Sequence, residues 1–406
     1  MIQKQLHMAE LSQNKLDSKL FDRFCQLPVF SFSKLITPDP NNLEEQKQEF
    51  LRTHKNPVFL YSKAQEFDAV GYLKEIKECR ADLELINSDD WIRDIYLAKL
   101  DELKARALFI KAMQDNNDEK VSELAKNIFG AQSDDQSKLE QELNDMLATN
   151  SKLHAHAKKI NAEIFSKMVR AVLDAYGMQK WKIKLSEGSA MKLTRGRKSK
   201  SLAVHIPKNF SASRARAQRI LVHEIEVHAL RTHNAKQSPL EILQVGLDHY
   251  SQTEEGLALY YQQKIGTAKT PAFWESYACA LSMDMSFSEM FNTLIYARTK
   301  VDKYVGHDKL DKEREEKIWN LCVRAYRGIS NPNKPGLGTC KDHIYRTGLD
   351  LINQLDMNNK QTQKLLFAGN IGVQHLSKLN ELNVNNVQTP MLISKQIAKQ
   401  IYRENR

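Results

Sequence analysis

Apolar residues recur three and four positions apart through most of the chain, the spacing that lines one face of a helix. "NNLEEQKQEFLRTH", opening after Pro40, "DAVGYLKEIKEC" and "WIRDIYLAKLDELKARALFIKAM" fill residues 40 to 110 with such segments. The polar, acidic stretch "QDNNDEKVSELAKNIFGAQSDDQSK" then reads as a surface connection or weakly ordered hairpin. A long helix is expected from about Leu139 to Ala175. Beyond Gly177 the period drops to two: "WKIKLS" and "SLAVHIP" alternate apolar with polar positions, as strands with one buried face do. Helical spacing returns in "SASRARAQRILVHEIEVHALRTH", capped by Ser211 or Ser213, and again in "TEEGLALYYQQKIG", "PAFWESYACALSMDMS" and "EKIWNLCVRAYRG". The expected fold class is α+β and predominantly helical, with a small sheet beside the histidine-rich helix. The expected organisation is an amino-terminal helical region over 1–135 and a second domain over 136–406 that ends in a helical extension.

Composition narrows this picture. With 406 residues, 41% of them hydrophobic, the chain can bury one large core or two ordinary ones. Its five cysteines lie far apart, with no pair at the spacing of a zinc knuckle or redox dithiol, and read as reduced thiols. The amino terminus lacks the apolar core of a secretory signal, and no run of about 18 apolar residues occurs, so a soluble cytoplasmic protein without membrane partners is expected. The net charge of +10 is unevenly spread. Between residues 190 and 220 there are nine Lys or Arg and no acid, whereas residues 115 to 145 carry nine acids and three lysines. No nucleic-acid motif accompanies the basic stretch, which favours an acidic ligand steered to a neighbouring site over a nucleic-acid groove.

That neighbouring segment is "RILVHEIEVHALRTHN", residues 219 to 234. On an ideal helix Leu221, Val222, Ile225 and Ala229 share an arc of about 100° that faces the core. His223, Glu224 and His228 fall about 200°, 300° and 340° from Leu221, on the opposite side, with Arg231 near about 280°. A histidine followed by glutamate and a second histidine is a zinc pattern, but here the second histidine comes five positions after the first rather than four. On a regular helix five positions separate the two rings by about 140°, so convergence on one ion calls for a π-bulge or a wider final turn. A hydrolytic zinc site also needs a third protein ligand, for which Glu254, Glu255, His233 and His249 are candidates.

"HEIEVHALRTHN" followed by "TEEGLALYYQ" resembles the bacterial QEGLA-motif proteins and their animal relatives, the microtubule-associated tyrosine carboxypeptidases. The resemblance extends through "ITPDPNNLEEQKQEFLRTHKNPVFLY", "YRGISNPNKPGLGTCKDHIYRTGL" and "LLFAGNIGVQHLSKLNELNVNNVQTP", most of the chain. It implies a glutamate-zincin-like domain with a lengthened histidine motif. By that likeness His223, His228 and Glu255 are the zinc ligands, with Glu254 second in line, and Glu224 is the general base. The sequence departs from the family pattern at Thr253-Glu254 and at Cys340, where a threonine is expected. Tyr345 is the candidate donor to the oxyanion. A carboxypeptidase also needs a cation for the terminal carboxylate, and Arg327 and Lys341 lead, ahead of Arg324 and Arg231.

The implied function is a zinc metallocarboxypeptidase that removes a carboxy-terminal residue, tyrosine or another aromatic, from an acidic protein tail. Two other readings use the same residues: an endopeptidase or amidase that ignores the free terminus, and a non-catalytic regulatory protein that keeps the fold. The strand "SLAVHIP", with Leu202, Val204 and Ile206 on one face and Ala203 and His205 on the other, is expected at the sheet edge beside the site, where an extended substrate adds.

Overall fold

A computed structural model of the chain describes residues 15–28, 32–62, 66–130, 136–148, 159–188, 191–195, 202–266, 272–304, 312–380 and 382–404. Helices dominate, and two small sheets complete an α+β fold.

Two hydrophobic cores organise the chain. The first draws the helices Ala69–Leu85, Asp90–Gln114 and Asp118–Phe129 together with three later ones, Phe273–Ser282, Phe287–Tyr304 and Lys312–Ala325. At its centre Phe50 meets Phe287, Phe291 and Trp319 at ring-centroid distances of 5.3, 4.8 and 5.2 Å. The first two contacts are edge-on, a geometry that adds quadrupole attraction to the burial. Because residues on both sides of position 135 build this core, the expected division into 1–135 and 136–406 does not coincide with the division between cores.

Within the acidic segment after Gln114, residues 118–129 form a helix, not a loose connection, while residues 131–135 lie outside the described residues. Asn117 caps the helix Asp118–Phe129 by accepting the Lys120 N–H, and Val121, Leu124, Ala125, Ile128 and Phe129 bury its apolar stripe. The long helix expected from Leu139 is likewise interrupted. Gln136–Ala148 and Ala162–Ala175 are separate helices, the second capped by Asn161, whose side chain accepts the Ile164 N–H at 3.0 Å. Asparagine competes for backbone donors outside helices, so it starts a helix more readily than it continues one.

The second core packs helix Ala162–Ala175 against the strands and the histidine segment. Strands β1 (Ile160–Asn161) and β5 (Ser211–Ala212) form a short antiparallel pair. The larger sheet contains β2 (Lys182–Ser186), β3 (Lys192–Arg195) and β4 (Leu202–Pro207) in the order β2-β4-β3. Strand β4 runs parallel to β2 and antiparallel to β3. "SLAVHIP" is therefore the central strand, not an edge, and cannot accept a further strand. Its near-continuous burial, with His205 alone half-exposed, is what a strand paired on both sides requires. No helix among the described residues is long and apolar enough to cross a membrane.

Candidate metal centre

Ser213 caps the helix Arg214–Ile220, accepting the Arg216 N–H at 3.3 Å, and the chain then widens into a π-helix over Leu221–Ala229. A π turn closes its hydrogen bonds between residues five apart, which places His228 one turn beyond His223. The two rings stand 4.6 Å apart, centroid to centroid, nearly perpendicular to each other. Leu221, Val222, Ile225, Val227 and Ala229 are fully buried and hold the helix in the second core. Glu226, also fully buried, accepts the Tyr176 hydroxyl at 2.5 Å and the Ser394 N–H at 2.9 Å, fastening the π-helix on its far side.

The helix Tyr250–Lys264 crosses this segment and supplies Glu255. Glu255 Oε2 lies 3.2 Å from His223 Nε2 and 3.9 Å from His228 Nε2. Taking one donor atom from each of His223, His228 and Glu255, all three lie within 4.8 Å of one another. Burial opposes a charged His223, yet its hydrogen bond to Glu255 and the charges of Glu255, Glu224 and Glu254 lift its pKa to about 9. For Glu255, burial works against ionisation, while the His223 hydrogen bond and the two imidazoles hold the carboxyl below its usual value. The shifts describe an imidazolium–carboxylate pair between His223 and Glu255.

The tandem glutamates separate by helix phase. Glu255 faces both histidines, whereas Glu254, 5% exposed, stands behind one of them, its Oε1 3.5 Å from His228 Nδ1. Gln262, two turns beyond Glu255 on the same face, brings its Nε2 to 3.1 Å from His223 Nδ1. Gln262 belongs to no recognisable motif; its only sequence signal is the seven-residue offset that puts it on the face of Glu255. His233 and His249 are not brought in: His233 Nε2 is 3.0 Å from Gln237 Nε2, and His249 precedes the Glu255 helix with its N–H on Glu102.

Tyr345 enters on the helix His343–Asn353, which crosses the Glu255 helix at a glycine pair. A Cβ on Gly256 would lie 2.2 Å from the Gly348 carbonyl, and one on Gly348 would lie 2.0 Å from the Gln252 carbonyl oxygen. The two backbones touch, which puts the residues beside each glycine close together. The Glu255 charge, with burial and the Asp342 charge, holds the Tyr345 phenol protonated far above the usual range, and the half-buried Glu224 adds to this.

The candidate cations have different fates. Arg231 does not face the site as expected but is fully buried, donating to the carbonyls of Leu366, Gly369 and Ile371. The extra residue consumed by the π turn rotates everything after it relative to an α-helical wheel. Arg324 Nε bonds Asp342 at 2.7 Å, and Arg327 pairs with Asp39 at 3.1 Å. Lys341 is half-buried; burial lowers its pKa, while Asp342 and Glu255 pull it upward. His205 is engaged in the sheet, its Nε2 2.8 Å from Thr194 Oγ1. Cys340 is buried with its sulfur 3.0 Å from Ser282 Oγ. In the basic stretch, Arg197, Lys198 and Lys200 lie outside the described residues. A cavity of about 650 Å³ against Trp91, Asn234 and Lys378 has none of the metal-facing trio in its wall.

Comparison with known proteins gives this geometry a context. The family model for microtubule-associated tyrosine carboxypeptidase matches residues 48–269, more than half of the chain and including His223, His228 and Glu255. Microtubule-associated tyrosine carboxypeptidase 1 of Mus musculus is 29% identical over 183 residues, 42% of this chain and 35% of the relative. Its Homo sapiens counterpart is 30% identical over 138 residues, 32% of this chain and 26% of the relative. The chain thus spans about a third or less of the curated relatives' length. On the extent of the family match, the chain belongs to the microtubule-associated tyrosine carboxypeptidase family.

Proposed function

We propose that the protein is a zinc-dependent metallocarboxypeptidase that removes a carboxy-terminal aromatic residue, tyrosine by analogy with its relatives' name, from an acidic protein tail. One observation carries this reading: two imidazole nitrogens and one carboxylate oxygen, from His223, His228 and Glu255, converge within 4.8 Å. Two histidines and a glutamate are a ligand set of hydrolytic zinc enzymes. Zinc bound there supplies a Lewis acid for a scissile carbonyl and lowers the pKa of water. Glu224 takes the proton of the attacking water and returns it to the leaving amine. Tyr345, kept protonated by its surroundings, donates to the oxygen that gains charge. Lys341, which carries no ion pair among the described residues, meets the substrate's terminal carboxylate. The net charge of +10 supports an acidic substrate, and five free thiols support a reducing, cytoplasmic setting.

A pair of acidic peptides ending in tyrosine, one with a free carboxylate and one amidated, tests the reading. Mass spectrometry is expected to detect tyrosine released from the free-ended peptide alone, and a zinc chelator is expected to stop the release. Internal cleavage of both peptides would indicate an endopeptidase. Cleavage of neither by zinc-loaded protein would contradict a peptidase role.

A further inference from the structure

We infer that Glu254 is a positioning residue that fixes the His228 ring so that its Nε2 faces Glu255 and His223. This rests on the metal reading above. His228 shows opposite ring nitrogens to the two adjacent glutamates: Nδ1 is 3.5 Å from Glu254 Oε1, and Nε2 is 3.9 Å from Glu255 Oε2. Nδ1 and Oε1 are close but not hydrogen-bonded in this structure, so the carboxylate acts through its charge: a negative group on the δ side favours the ring proton there and leaves the ε lone pair for a cation. Successive residues on a helix point about 100° apart, so one turn of the Tyr250–Lys264 helix delivers both a ligand and the group that aims another ligand.

Glu254 also lies near a fixed positive charge. Arg231 Nη1 lies 3.9 Å from Glu254 Oε1. The Arg231 Nε donates to the Leu366 and Gly369 carbonyls at 3.0 Å each, and Nη2 donates to the Ile371 carbonyl at 2.7 Å. This loop comes so near because residue 369 is glycine: a Cβ there would stand 2.7 Å from Leu243 Cβ and 3.2 Å from Ala235 Cβ. The "LLFAGNIG" segment thereby gains a role, fixing the guanidinium whose charge stands beside the Glu254 carboxylate.

The test compares wild type, Glu254→Gln and Glu254→Asp. Zinc affinity is measured by competition with a chromophoric chelator, and site geometry by the visible spectrum of the cobalt-loaded protein. Glu254→Gln is expected to bind zinc about 10- to 100-fold more weakly and to shift the cobalt bands. Glu254→Asp keeps a charge beside Arg231 but withdraws it from His228 by one methylene, so the same direction of change is expected with folding retained. Melting of the metal-free variants checks that folding. Zinc affinity within twofold of wild type in both variants, with an unchanged cobalt spectrum, overturns the inference while leaving the metal centre intact. Wild-type protein that binds neither zinc nor cobalt overturns the metal reading itself, and this inference with it.

Discussion

At the scale of single residues, holding a cation and moving a proton fall to different side chains. Glu224 is absent from the converging trio, so Glu224→Gln is expected to keep its zinc and lose about 10²- to 10⁴-fold in kcat. Tyr345→Phe keeps the ring and removes the hydroxyl; a fall of about 10²- to 10³-fold in kcat with little change in KM is expected. A rise in KM alone would mean that Tyr345 binds substrate instead of stabilising the oxyanion. The pairing of His223 with His228 was legible in the motif itself, whereas Glu255 was distinguished from Glu254, His233 and His249 only by the family resemblance. Arg231 was misread because the wheel assumed α geometry through a π turn. Gln262 was passed over because an amide behind a ligand belongs to no short motif.

At the scale of elements, two local features set the site. The π-helix reconciles a five-residue histidine step with convergence, and its need was visible in the spacing itself. The crossing of Tyr250–Lys264 with His343–Asn353 was not visible, because it depends on glycines about ninety residues apart meeting in space. Gly256→Ala would drive a methyl group into the Gly348 backbone, which cannot retreat as a flexible side chain does. We expect it to cost at least about 1–3 kcal/mol, measured by urea unfolding, and to lower kcat by moving Tyr345 away from Glu255. Unchanged stability and turnover would mean that the crossing is looser than the geometry here. The helices read from three- and four-residue spacing formed, whereas the acidic segment after Gln114 was misjudged because its charges hid a real apolar stripe.

At the scale of the whole molecule, the amino-terminal helices reach the site through a buried charge network. Glu102, fully buried, accepts from Lys99 and Arg106 and also from the His249 N–H at the start of the Glu255 helix. Lys99 donates in addition to the Leu247 carbonyl at 3.3 Å. Burial raises the Glu102 pKa, but the Lys99 and Arg106 charges prevail and hold it at about 2. A folded value below the unfolded one of about 4.3 contributes stability that is present above that pH and lost as pH falls toward 2. Glu102→Gln should therefore cost about 3–5 kcal/mol near neutral pH by leaving Lys99 uncompensated. Its difference from wild type in urea unfolding should shrink as pH falls between about 4.5 and 2; a constant difference would mean that lost packing, not charge, is responsible. That two halves of the chain share a core was beyond sequence reading, since periodicity shows which face is buried but not what covers it. The most direct test of the account is elemental analysis of the purified protein beside His223→Ala, His228→Ala and Glu224→Gln. One zinc per chain is expected in wild type and Glu224→Gln, with loss from both histidine variants. Zinc retained at full occupancy when both histidines are replaced would contradict the assignment of the site.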